Sequence, residues 1–221
     1  MDIRINSRSF FIFDLDDTLY PEADFLKSGY REVANYLQPV IRKDLYDQMI
    51  DWYKNGIHAF SSVVEEYGDA TITVDKLLSV YRLHFPDIRL RRDASVFIRR
   101  LQEYNVPMGL ITDGRSITQR NKLKALKIED CFKDIIISEE FGSEKPDEKN
   151  YNFFPDKYPD THFFFFGDNL NKDFIIPVKS GWTSFCLIDN GGNIHKQRNI
   201  HDHKHIYFID SYDEINLIYE L

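Results

Sequence analysis

The sequence predicts an α/β protein, a doubly wound parallel sheet with an α-helical bundle inserted into it. Three observations carry this expectation. Short apolar runs recur and end abruptly in polar clusters, segments of helical period separate them, and one interval between two such runs is far too long for a simple crossover.

The first run is Phe10 to Asp14 (FFIFD). A strand buried on both faces of a parallel sheet reads as a near-continuous apolar stretch, and its carboxyl end opens into solvent. The same event recurs where Val106 to Ile111 runs into Thr112-Asp113-Gly114, Ile135 to Ile137 into Ser138-Glu139-Glu140, and His162 to Phe166 into Gly167-Asp168-Asn169. Ligands of open α/β sheets bind beyond the carboxyl ends of the strands, so these clusters are expected to share one crevice. Between the strands, Ala94, Phe97, Ile98, Leu101 and Tyr104 share a helical face, and Leu123 with Leu126 anchors another after a break at Gly114. Trp182 to Leu187 and Ile206 to Ile209 are expected to extend the sheet, and Asp213 to Tyr219 to form a short terminal helix.

Asp14 and Thr112 stand much further apart than the ~30 residues of a βαβ unit. The surplus reads as helical: Phe25, Val33, Tyr36 and Leu37, then Leu45, Met49 and Trp52, then Ile57, Phe60, Val64 and Tyr67, then Val74, Leu77, Leu78 and Tyr81 recur at helical spacing. Breaks are expected at Pro39, Asn55-Gly56 and Gly68, with Pro86 marking the return. The predicted division is a core of residues 1–19 and 88–221 around a helical unit of residues 20–87.

Composition excludes several functions. The 221 residues carry 36 Asp and Glu against 28 Lys and Arg, a net charge of −8, so a broad nucleic-acid footprint is not expected. No apolar run reaches the ~20 residues that span a bilayer, and the N-terminus has no signal-peptide pattern; the expected location is the cytoplasm. Cys131 and Cys186 read as free thiols in a reducing compartment. Aromatic residues make up 15% and are spread over the whole chain, as core packing requires.

Chemistry gathers at the strand ends. Asp14 and Asp16, in Asp14-Leu15-Asp16-Asp17-Thr18, place two carboxylates just past a strand, and Asp168 and Asp173 bring two more. Such a cluster repels itself unless a proton or a hard cation compensates, and Mg²⁺ is the natural counter-charge. Lys145 adds a positive group, while Thr112 and the N–H groups of Asp113 and Gly114 form an anion cradle. Carboxylates, cation, lysine and amide donors together describe a phosphoryl-transfer site. His201, His203 and His205 (HDHKH) lack the spacing of a zinc site and read as a solvated loop.

FDLDDT, ITDG, EKPD and GDNLNKD, in that order on successive strand ends, resemble the four motifs of the haloacid dehalogenase superfamily, and the inserted helices resemble the cap of members that carry one after the first motif. The resemblance implies a Rossmann-like core in which Asp14 is the nucleophile and Asp16 the general acid and base. It further implies that Thr112, the Asp113 backbone and Lys145 hold the phosphoryl group. Asp14, Asp168 and Asp173 would serve the Mg²⁺ site, with the backbone carbonyl of Asp16. Asp113 departs from the Asn of many members, and its side chain is expected to turn away from the phosphate. Thr18 is expected to brace the first loop. Asp16 separates this chain from dehalogenases, which need no proton donor for a halide.

The expected activity is therefore Mg²⁺-dependent hydrolysis of a small phosphomonoester, a sugar phosphate or nucleoside monophosphate, through an aspartyl-phosphate. Alternatives are a phosphomutase or phosphotransferase, a non-catalytic phospho-ligand module, and a dehalogenase. The expected partner is a small phosphorylated metabolite, with no nucleic acid and no membrane, for a monomer or homodimer. Tyr20, Glu22, Asp24, Ser28, Arg31, Lys54 and His58 are candidates for leaving-group contacts.

Overall fold

A computed structural model describes residues 1–69, 71–197 and 204–220. Its main sheet contains β2 (Ser9–Phe13), β3 (Met108–Thr112), β4 (Asp134–Ile137), β5 (His162–Gly167), β6 (Thr183–Leu187) and β7 (Ile206–Ile209), all parallel in the order β4-β3-β2-β5-β6-β7. From β2 the chain winds outward to β4, then returns to the other side of β2 and winds outward again. The switch point lies between β2 and β5, where a crevice opens at the carboxyl ends. Phe13 pairs with Phe166, which sets Asp14 and Asp168 side by side just beyond the sheet.

Both faces of this sheet are dry, and β5 makes the reason plain. Phe164 and Phe166 join one apolar cluster while Phe163 and Phe165 join the other, the period-two alternation of a strand buried twice. On the first face Phe11 stacks on Phe164 at 4.5 Å, and Phe166 on Phe185 at 4.6 Å. Helices α5 (Arg92–Glu103) and α6 (Ser116–Leu126) cover this face through Phe97, Leu101, Leu123 and Leu126. On the second face, α8 (Glu148–Lys157) and α9 (Ile175–Lys179) contribute Tyr151, Phe154 and Ile176, and Trp182 packs 4.8 Å from Phe163. The short α7 (Ser138–Phe141) follows β4 directly.

The insertion after β2 is helical, as expected: α1 (Glu22–Ile41), α2 (Tyr46–Lys54), α3 (Ala59–Tyr67) and α4 (Val74–Leu83) enclose an apolar cluster of their own around Val33, Leu37, Met49, Val63 and Leu77, with Trp52 half-buried against it. Gly56 and Gly68 lie beyond the ends of α2 and α3. Pro39 does not break α1, which runs on to Ile41 and stops at Arg42 in a left-handed conformation, φ 58°. A proline this close to a helix end disturbs one turn only, and burial of Leu37 holds that turn in place.

The expected C-terminal helix is a strand instead. A 3₁₀ turn at Tyr212–Glu214, capped by Ser211, leads into β8 (Asn216–Tyr219), which pairs in parallel with β1 (Asp2–Ile5) in a separate two-stranded sheet. Ile215 and Leu217 alternate inward against Ile3 and Ile5, so period two prevails over the helical reading of a segment too short to bury a helical face. Asp93, in the first turn of α5, anchors the turn by accepting from the Ser211 hydroxyl at 2.8 Å and the Tyr212 amide at 3.0 Å. Among the described residues no helix is long and apolar enough to cross a membrane. His201 and His203 lie outside the described residues, and His205 is exposed just before β7.

Candidate active site

The loop after β2 is shaped by Asp17. It adopts a left-handed conformation, φ 54°, which a short polar side chain tolerates better than most. Its two carboxylate oxygens accept the backbone amides of Glu22, at 2.8 Å, and Ile194, at 2.9 Å. The loop is thereby tied both to α1 and to the segment beyond β6. Thr18 donates to Asp14 Oδ2 at 3.1 Å, the bracing role expected of its hydroxyl.

Asp14, Asp168 and Asp173 form the crevice floor, all buried, with one oxygen from each lying within 4.8 Å of the others. Lys145 Nζ sits between two of them, 2.6 Å from Asp14 Oδ1 and 2.7 Å from Asp173 Oδ1. Asp173 Oδ2 also accepts the amides of Asp168 and Asn169, at 3.2 and 2.9 Å. Gly167 makes this approach possible, since a Cβ there would stand 2.6 Å from Asp173 Oδ2. Burial pushes the Asp168 carboxyl up to about 9, helped by the charges of Asp14 and Asp173. Asp14 rises to about 7 for the same first reason, opposed by Lys145. When ionised, these three carboxylates would carry two more negative charges than the Lys145 ammonium balances, and the cluster they form offers carboxylate oxygens only. That donor set fits a hard divalent cation such as Mg²⁺.

Thr112 ends β3 beside this floor, and the Asp113 side chain does turn aside. Its Oδ1 accepts the Lys145 amide at 2.9 Å and its Oδ2 lies 3.2 Å from Lys172 Nζ. The Gly114 amide is not free as expected, because it donates to Ser138 Oγ at 2.9 Å. Of the expected anion cradle, Thr112, the Asp113 backbone and Lys145 are left as candidates.

Asp16 faces the same crevice from a different setting. Lys122 Nζ lies 2.7 and 2.9 Å from its two oxygens, Gln119 Nε2 is 2.9 Å from Oδ2, and the Tyr20 hydroxyl donates to Oδ1. Burial raises its proton affinity, but the Lys122 charge and the hydrogen bonds from Lys122, Tyr20 and Gln119 more than offset that and hold the carboxyl below its usual range. Gln119 and Lys122 belong to α6 and were not among the expected site residues. Nor were Asn193, which donates to Asp168 Oδ2 at 3.0 Å, or Gln197, which donates to the Asp168 carbonyl at 2.7 Å.

The crevice has a volume of about 110 Å³, and beyond the acids and Lys145 its walls include Glu22, Lys172 and His195. Burial, reinforced by the neighbouring Asp16 charge, pushes Glu22 up to about 8. Of the other leaving-group candidates, Tyr20 reaches Asp16, but Asp24, Ser28, Arg31, Lys54 and His58 do not line the crevice. Arg31 pairs with Asp44 on the surface, and Ser28 is engaged by the Asp87 amide and faces His84.

Residues 11–185 match the family model described as haloacid dehalogenase-like hydrolase. The chain belongs to this family. A glyceraldehyde 3-phosphate phosphatase of Methanocaldococcus jannaschii is 30% identical over 150 residues, 61% of this chain and 64% of that protein. One from Methanopyrus kandleri is 23% identical over 151 residues, 62% of this chain and 65% of that protein. The chain thus spans somewhat under two thirds of the length of these curated relatives. Among solved structures of the family's fold, Bacillus subtilis YfnB, crystallised bound to magnesium, superposes with a TM-score of 0.64 at 20% identity, covering 93% of this chain and 96% of that one.

Proposed function

We propose that the protein is a Mg²⁺-dependent phosphatase that hydrolyses a small sugar phosphate through an aspartyl-phosphate on Asp14. The observation that carries this reading is the floor of three buried carboxylates with one lysine, with Thr112 and Lys145 beside the nucleophile. The relatives named glyceraldehyde 3-phosphate phosphatases support the substrate class. Two free cysteines, one of them fully buried, suit a cytoplasmic enzyme.

In this reading Asp14, Asp168 and the Asp16 carbonyl would hold the ion, and Asp173 fixes Lys145 and the strand-end amides. When bound, Mg²⁺ supplies charge neutralisation at the phosphoryl oxygens. An Asp14 oxygen forms a bond to phosphorus while the ester bond breaks and its electron pair leaves with the sugar oxygen, which takes a proton from Asp16. The phosphoryl charge arriving beside Asp16 raises its proton affinity, against the donors that lower it in the free site. In the second step Asp16 takes a proton from water, the water oxygen bonds to phosphorus, and the bond to Asp14 breaks. Thr112 and Lys145 hold the phosphoryl oxygens through both steps.

A panel of phosphorylated metabolites assayed for phosphate release with and without Mg²⁺ tests the proposal, together with acid-quench trapping of the phosphoenzyme. Expected are Mg²⁺-dependent release and a base-labile phosphoenzyme that vanishes in Asp14→Asn. No release from any member of the panel, or full activity in Asp14→Asn, overturns it.

A further inference from the structure

Lys145 already provides the ammonium that the phosphoryl group needs, yet the site contains a second buried lysine. Lys122 is 3% exposed, and its partner among the described carboxylates is Asp16, gripped through both oxygens. The Phe25 ring lies 4.4 Å from the ammonium and shields it from water. Burying an ammonium is costly unless its partner geometry is good, so a lysine placed here has a definite task. One turn earlier, the Gln119 amide donates at once to Asp16 Oδ2 and, at 2.6 Å, to Thr112 Oγ1. A single side chain therefore sets the spacing between the hydroxyl that would grip the phosphoryl group and the carboxyl that would serve its leaving oxygen.

The helix that carries these two residues is itself held. Thr118 Oγ1 donates to the Arg82 carbonyl at 3.1 Å, and Asn121 Nδ2 donates to the carbonyls of Leu83 and His84, both at 3.2 Å. Those acceptors are at the end of α4, where a helix leaves its last carbonyls without partners. One side of α6 thus grips the inserted helices while the adjacent side grips Asp16.

We infer that Lys122, assisted by Gln119, is the positioning residue of Asp16, holding its carboxyl against the leaving-group oxygen of the substrate. Lys122 touches neither phosphorus nor the reacting oxygens and acts through Asp16. The inference rests on the phosphatase reading, in which the ester oxygen departs with its electron pair and receives the Asp16 proton. A leaving group stable as an anion has no need of that proton, and this separates positioning from general structural support.

The test is single-turnover release of the leaving group from a sugar or glycerol phosphate and from p-nitrophenyl phosphate, in wild type, Lys122→Met, Lys122→Arg and Asp16→Asn. Lys122→Met is expected to slow the alkyl ester about 100-fold and the nitrophenyl ester by no more than about threefold, the same pattern as Asp16→Asn. Lys122→Arg should recover most of the alkyl rate. Equal slowing of both esters, or of neither, overturns the inference. Should Lys122→Met lose its near-UV circular dichroism, Lys122→Gln carries the test, with slowing on the alkyl ester alone expected and uniform slowing overturning it. Asp14→Asn serves as the separate control: if it keeps the burst with both esters, the phosphatase reading itself falls and the assignment of Lys122 with it.

Discussion

The crevice contains two acidic centres that share a residue type and little else. On its floor, Asp14, Asp168 and Asp173 have one ammonium among them, and the Asp168 carboxyl rises to about 9. On its flank, one carboxylate, Asp16, has an ammonium, an amide and a phenol, and its proton affinity falls below the ordinary range. The floor is short of positive charge, whereas the flank is fully supplied. Environment, and not side-chain identity, separates the two centres, raising the carboxyls of one and lowering that of the other.

The largest effect should come from removing charge at the floor. Asp168→Asn is expected to lower Mg²⁺-dependent phosphate release by about 10³-fold or more while raising the thermal midpoint of the metal-free protein at pH 8. Steady-state kinetics and calorimetric melts read the two halves. A loss of both activity and stability would mean that the floor is not under-compensated.

Next comes pH. Between its unfolded value and about 9, Asp168 holds more proton in the folded state than in the unfolded state, so metal-free stability should fall as pH rises through that window. At one fixed concentration Mg²⁺ should therefore stabilise more at pH 8.5 than at pH 6, its contribution being about 2.7 kcal/mol where that concentration is a hundred times Kd. Binding at pH 7 should also release protons, read by titration calorimetry in buffers of different ionisation enthalpy. Proton-neutral binding would refute the assignment.

At the flank the sign reverses: Lys122→Ala leaves Asp16 without its ammonium and should cost about 3 kcal/mol in urea unfolding, with no gain for the metal-free protein. The smallest effect lies outside both centres. Burial raises the Asp93 carboxyl, but Ser211, the Tyr212 amide and Arg91 outweigh it and hold the group low. Its contribution is present above the unfolded carboxyl value and is lost as pH falls through the folded one, so Asp93→Ala should cost about 1 kcal/mol at pH 7 and less at pH 3.

Much of this was legible in the residue order. Buried parallel strands must be apolar and must stop where water begins, so FFIFD and HFFFFGD announce both the strands and the acids at their ends. β8 was hidden because four residues with one buried side chain carry too little period to identify a strand. The Asp16 clamp was hidden for another reason. Gln119, Lys122, Leu123 and Leu126 lie on one stripe at helical spacing, but two polar residues on a helix as hydrophilic as SITQRNKLKAL resemble solvent contacts. The signal was their place on the leucine face, where a polar side chain needs a buried partner. Long-range partners such as Asn193 for Asp168 left no local trace at all.

The two tryptophans give the molecule a built-in optical readout. Trp182 is sealed among Phe163, Phe165 and Tyr151 in the sheet, and Trp52 rests half-buried among the inserted helices. Trp52→Phe and Trp182→Phe therefore leave fluorophores that report on different apolar clusters. Emission from the two variants, followed through a single denaturant series, will reveal whether helices and sheet melt together or in turn.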